Sequence, residues 1–65
     1  MKVNRICIYP KDIQRITGRS ERYGRRLLER IKDHLDKERH QFITIDEFCD
    51  YSGIKREDIQ EYLKD

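Results

Sequence analysis

The chain has 65 residues, 35% of them hydrophobic and 43% charged, with a formal net charge of +2. Ordering a chain of this length costs about 100 kcal/mol of conformational entropy, so its few apolar residues must be buried economically and through mostly local contacts. That leaves room for one small domain over residues 1–65, too small for a deep substrate pocket, and enzymatic activity is not expected.

Arg5-Ile6-Cys7-Ile8-Tyr9 is β-branched and aromatic and reads as a short strand that stops at Pro10. Pro10 suits the first position of a helix, and Lys11 to Ile16 continue it, with Asp12 favourable in the first turn. Ile8 and Ile13 stand at the spacing of a hydrophobic staple, and Thr17-Gly18 ends the helix. Ser20 is a good N-cap for a second helix over about 21–36. Gly24, Leu27, Leu28, Ile31 and Leu35 form its apolar stripe, while Arg22, Arg25, Arg26, Glu29 and Arg30 cover the other side. An interior glycine costs about 1 kcal/mol against alanine, so Gly24 points to close helix packing. Asp36 to Gln41 is a polar connection, and Gln41-Phe42-Ile43-Thr44 reads as a second short strand. Thr44 and Glu47 make a capping box, and Ile43 with Phe48 a second staple, for a third helix over about 45–52 that ends at Gly53. Glu57 and Asp58 open a fourth helix, with Ile59, Tyr62 and Leu63 on its buried stripe.

The expected fold is therefore mainly α: about four helices on one core, with two short strands placed to pair as a small β-ribbon. Shifting the sequence by 35 residues lays Gly18 on Gly53, Ile8 on Ile43 and Ile13 on Phe48. Units 5–36 and 41–65 thus share one order of strand, helix, glycine turn, helix, and are expected to pack on a common core. No apolar run approaches the roughly 20 residues of a membrane-spanning helix. Met1 to Arg5 do not lead into the apolar stretch of a secretory leader. Cys7 and Cys49, far apart in apolar contexts, read as reduced core thiols, and a cytoplasmic location is expected.

The charge is unevenly divided. Residues 1–30 carry nine Lys/Arg and three Asp/Glu, and residues 31–65 carry six and ten. Such a split suggests that one face meets an anion. The outward positions at the start of the second helix are Arg19, Ser20, Arg22, Arg25 and Arg26, with Lys11 and Arg15 on the preceding helix. Arginine can fork two hydrogen bonds onto a guanine edge or a phosphate, and a helix N-terminus with a serine cap suits a phosphate oxygen. In the second unit the equivalent positions are Lys55, Arg56, Glu57, Gln60 and Glu61, a mixed surface that reads as scaffold or as a protein-contact surface. An arginine-rich helix face alone is more often merely solvated. What shifts the reading is its combination with a short preceding helix and a glycine turn.

The stretch Asp12-Ile-Gln-Arg-Ile-Thr-Gly-Arg-Ser-Glu-Arg-Tyr-Gly-Arg-Arg-Leu-Leu28 resembles the helix-turn-helix superfamily, and looks closest to small excisionase-like and winged-helix-like regulators. Ile13, Gly18, Gly24 and Leu27 match that superfamily's buried positions. The resemblance implies a transcriptional regulator or an excisionase-like accessory factor that inserts the helix starting near Ser20 into the major groove of double-stranded DNA. Its expected DNA-binding residues are Lys11, Arg15, Arg19, Ser20, Arg22, Arg25 and Arg26. One such unit reads few bases, so a homodimer or cooperative binding on repeated half-sites is expected to raise affinity. The alternative is a protein-interaction module of the same fold that does not bind DNA, with residues 45–65 meeting a protein partner. No cofactor is expected. His34, His40, Cys7 and Cys49 do not have the spacing of paired zinc ligands, so no metal is expected either.

Overall fold

A computed structural model describes residues 5–63 of the chain. Residues 1–4 and 64–65, which the single-domain reading and the reading of Met1 to Arg5 include, lie outside the described residues. Four helices follow one another: α1 (Pro10–Thr17), α2 (Glu21–His34), α3 (Ile45–Ser52) and α4 (Arg56–Ile59), with a single 3₁₀ turn over Gln60–Tyr62. No helix is long and apolar enough to cross a membrane among the described residues.

Local chemistry fixes the start and stop of each element. Tyr9, extended at φ −123° and ψ 163°, precedes Pro10, and the Asp12 carboxylate accepts the Tyr9 N–H at 2.8 Å. Ile8 and Ile13 flank this start and are both buried, as a staple requires. Gly18 ends α1 at φ +76° and donates to the Gln14 carbonyl at 2.9 Å. A Cβ there would meet nothing within 4 Å, so backbone conformation rather than space selects glycine. Ser20 caps α2, its Oγ accepting the Tyr23 N–H at 3.1 Å. At the N-terminus of α3, Thr44 Oγ1 accepts the Glu47 N–H at 3.0 Å, and Glu47 accepts the Thr44 N–H at 2.9 Å. That is the expected capping box, with Ile43 and Phe48 both buried around it. Gly53, at φ +79°, ends α3 as Gly18 ends α1.

The helices close on one core. Ile8, Ile13 and Ile31 come from the first half of the chain, and Ile43, Ile45, Phe48, Ile59 and Leu63 from the second. Ile16, Tyr23, Leu27, Leu28, Cys49 and Ile54 pack around them, half-buried. Cys7 and Cys49 are free thiols, each half-buried. α1 lies directly on α2. A Cβ built on Gly24 would stand 2.7 Å from the Pro10 carbonyl oxygen and 3.1 Å from its Cα, so the two helices meet main chain to main chain.

Three expectations need correction. The β-ribbon does not form: the described residues contain no strand, only one antiparallel bridge between Cys7 and Thr44. Its two backbone bonds, Ile8 N–H to Ile43 O at 3.0 Å and Ile45 N–H to Ile6 O at 2.7 Å, are all that fits. Pro10 has already begun α1 and Thr44 is already the cap of α3, so neither segment has residues left to extend a ladder. Next, α2 stops at His34, with Leu35 as its cap and Asp36 at φ +58°, and Leu35 is exposed rather than on the buried stripe. Finally, α4 lasts only from Arg56 to Ile59 before tightening into the 3₁₀ turn, and Tyr62 is exposed while Ile59 and Leu63 stay buried.

Candidate nucleic-acid interface

Successive side chains on an α-helix are turned by about 100°. On α2 this sets Gly24, Leu28 and Ile31 toward the interior, where Gly24 and Ile31 are buried and Leu28 is half-buried. Arg22 and Arg26 then fall within about 40° of one another on the opposite side. Both are exposed, and neither is in a salt bridge among the described residues. Arg25 lies on the flank and is also exposed, but its guanidinium meets Glu21 at 3.1 Å, one turn back. Of the α2 arginines named from the sequence, Arg22 and Arg26 therefore share the outward side, in no salt bridge among the described residues, while Arg25 sits on the flank and is paired.

Arg19 and Ser20 form the entry to α2. Arg19 is exposed and its guanidinium carbon lies 4.8 Å from the centre of the Tyr23 ring. The Ser20 hydroxyl is occupied as a helix cap. On α1, Lys11 and Arg15 stand four residues apart on one exposed side. Arg15 reaches toward Asp12 at 3.4 Å, with 44% of its side chain still exposed.

Residues further along α2 limit the basic stretch. Glu29 and Asp33 are exposed on the same side as Arg22 and Arg26, so positive charge is concentrated in the N-terminal half of the helix. The contribution of Asp33 is legible from the same helical spacing. The clamp beneath α1 is not. Asp12 is only 1% exposed and grips Arg5 at 2.6 Å, while Arg5 also lies over the Tyr9 ring at 5.4 Å.

The second helix pair has a different surface. Arg56 is paired with Asp46, whereas Glu57, Asp58 and Glu61 are exposed and in no salt bridge among the described residues. Burial raises the Cys49 thiol above its ordinary pKa, and the nearby Asp46 carboxylate adds to that, so it is a poor thiolate at neutral pH. The Thr44 N–H, and after it the Lys37 ammonium 2.9 Å away, hold the Glu47 carboxyl below its usual range. No group of three or more His, Cys, Asp or Glu side chains is placed to hold a metal ion among the described residues.

Comparison with known protein families, with curated proteins and with solved structures finds no match to this chain.

Proposed function

We propose that this chain is a small DNA-binding protein of the helix-turn-helix kind, either a transcriptional regulator or a recombination accessory factor, with α2 lying in the major groove. The observation that carries this reading is the exposure of Arg22 and Arg26 on the outward side of α2, in no salt bridge among the described residues, beside Arg19 and Ser20 at its entry. Arginines so placed reach base edges or phosphates, while Lys11 and Arg15 on α1 cross the backbone. A homodimer or repeated half-sites would supply the affinity that one such unit lacks.

The test is a salt series with a generic duplex, followed by single substitutions. Arg22→Ala and Arg26→Ala each weaken binding by about 1–3 kcal/mol where those side chains meet bases. Arg56→Ala, already paired with Asp46 on the other helix pair, leaves affinity unchanged. If folded protein at micromolar concentration fails to retard duplex at low salt, the reading is wrong.

A second reading is favoured by a different observation. Ile6 and Phe42, on the two bridged segments, are 68% and 63% exposed, which suits contact with another protein. In that reading the same fold serves as a protein-interaction module, and the absence of retardation in the same experiment is its expected result.

A further inference from the structure

An exposed arginine loses rotamer freedom on binding, so one that is already held bears less of that cost. A carboxylate partner can hold it but also neutralises it, as Glu21 does to Arg25. Arg19 is held in another way. Its backbone N–H donates to Thr17 Oγ1 at 3.2 Å, and that hydroxyl donates in turn to the Ile13 carbonyl at 2.7 Å. Its guanidinium stacks on Tyr23 with 4.8 Å between guanidinium carbon and ring centre. Tyr23 is itself fixed, half-buried against the core and donating its N–H to Ser20 Oγ at 3.1 Å. The turn from Thr17 to Tyr23 is thus one connected set of contacts, and Arg19 is tied into it at both backbone and head. An aromatic face attracts the cation without cancelling its charge, and the N–H groups on the guanidinium edge stay available to a phosphate.

Resting on the DNA reading above, we propose that Tyr23 is a positioning residue, presenting the Arg19 guanidinium beside the start of α2 in the pose in which it forks onto a backbone phosphate. Tyr23 acts through Arg19 and not by touching the nucleic acid. This assigns a function to a tyrosine that would otherwise be only a boundary residue of the core. It also separates Arg19, which arrives ordered, from Arg22 and Arg26, which have no side-chain partner among the described residues.

Fluorescence anisotropy with a labelled random-sequence duplex, over a range of salt, tests this on the wild type, Arg19→Ala, Tyr23→Phe, Tyr23→Leu, the Arg19→Ala/Tyr23→Leu double variant and Arg22→Ala. Arg19→Ala should lower the slope of log affinity against log salt by about one. Tyr23→Phe keeps the ring and should bind as the wild type does. Tyr23→Leu should weaken binding by about threefold, and should cost nothing further when Arg19 is already alanine. Upfield ring-current shifts of the Arg19 side-chain protons, in free wild-type and Tyr23→Phe protein, check the stacking without depending on the fold of the leucine variant. Wild-type affinity in Tyr23→Leu, a full additional loss in the double variant, or absent ring-current shifts would overturn the proposal. If the wild type does not bind duplex at low salt, the DNA reading fails together with it. If the wild type binds and Arg22→Ala weakens it, while Arg19 and Tyr23 show no coupling, only the present inference fails.

Discussion

A carboxylate removed from water must find charge and hydrogen bonds to replace it. Asp12, at 1% exposure, finds both: Arg5 at 2.6 Å, the Tyr9 N–H at 2.8 Å, and Arg15 more distantly at 3.4 Å. It ties the extended segment before Pro10 onto α1. Helical spacing identifies Asp12 only as a favourable first-turn charge, because its main partner lies seven residues upstream on a segment with no helical period. The arrangement has a cost, since Arg5 Nε is buried with no hydrogen-bond partner among the described residues. Asp12→Ala leaves a largely buried guanidinium uncompensated, and should lower stability by about 3–5 kcal/mol in urea unfolding. Glu47 is a second carboxylate with a structural role, as half of the α3 capping box. Its pKa is lowered in the folded chain, so its contribution is present above its unfolded value of 4.5 and is lost as pH falls through the lower folded value. Glu47→Ala removes one half of the capping box and should cost up to about 1 kcal/mol at neutral pH, and the difference from wild type should shrink in strong acid. A urea-midpoint difference that stays constant down to the acid limit would rule this out.

At the scale of elements, what the sequence makes legible follows from how local each cause is. The capping box of Thr44 and Glu47, both staples, and the two glycine ends are encoded within five residues, and all stand where spacing puts them. The ribbon is not local. Strand propensity in Arg5–Tyr9 and Gln41–Thr44 is real, but helix signals on either side leave room for one bridge only. The early end of α2 and the shortening of α4 have the same origin, since apolar spacing that runs as far as Leu35 or through Tyr62 does not reveal which residue the core will accept. Of the interface, the outward side of α2 is legible from period alone, whereas the stacking of Arg19 on Tyr23 and the pairing of Arg25 with Glu21 need rotamers. Gly24 is the position in the α1–α2 junction where backbone meets backbone. Gly24→Ala pushes a methyl group to 2.7 Å from the Pro10 carbonyl, where the neighbour is backbone and cannot swing aside. A loss of about 1–3 kcal/mol is expected in thermal or urea unfolding. A neutral result would mean that the helices separate easily.

At the scale of the molecule, the two halves are unlike in charge but share one interior. Phe48, on α3, packs in the same cluster as Ile13 of α1 and Ile31 of α2. Removing its ring should therefore loosen the arginine-bearing helix as well as its own. Phe48→Ala is expected to cost about 3–5 kcal/mol, a large part of what a domain of this size has. Circular dichroism of the helices and a probe on α2 should report one coincident transition at a lowered midpoint. A variant in which α2 melts separately from α3 would contradict the shared core.

The meeting of Pro10 with Gly24 sets how this small protein could change over time. Where two helices are spaced by side chains, any new side chain at the seam alters their tilt. Here the closest point of the seam, Pro10 against Gly24, is bare peptide, with the side chains of Ile13, Leu28 and Ile31 filling the core beside it. The arginines on the far side of α2 can be exchanged while that contact stays as it is, so the outward chemistry of the helix and its seating on α1 can vary independently.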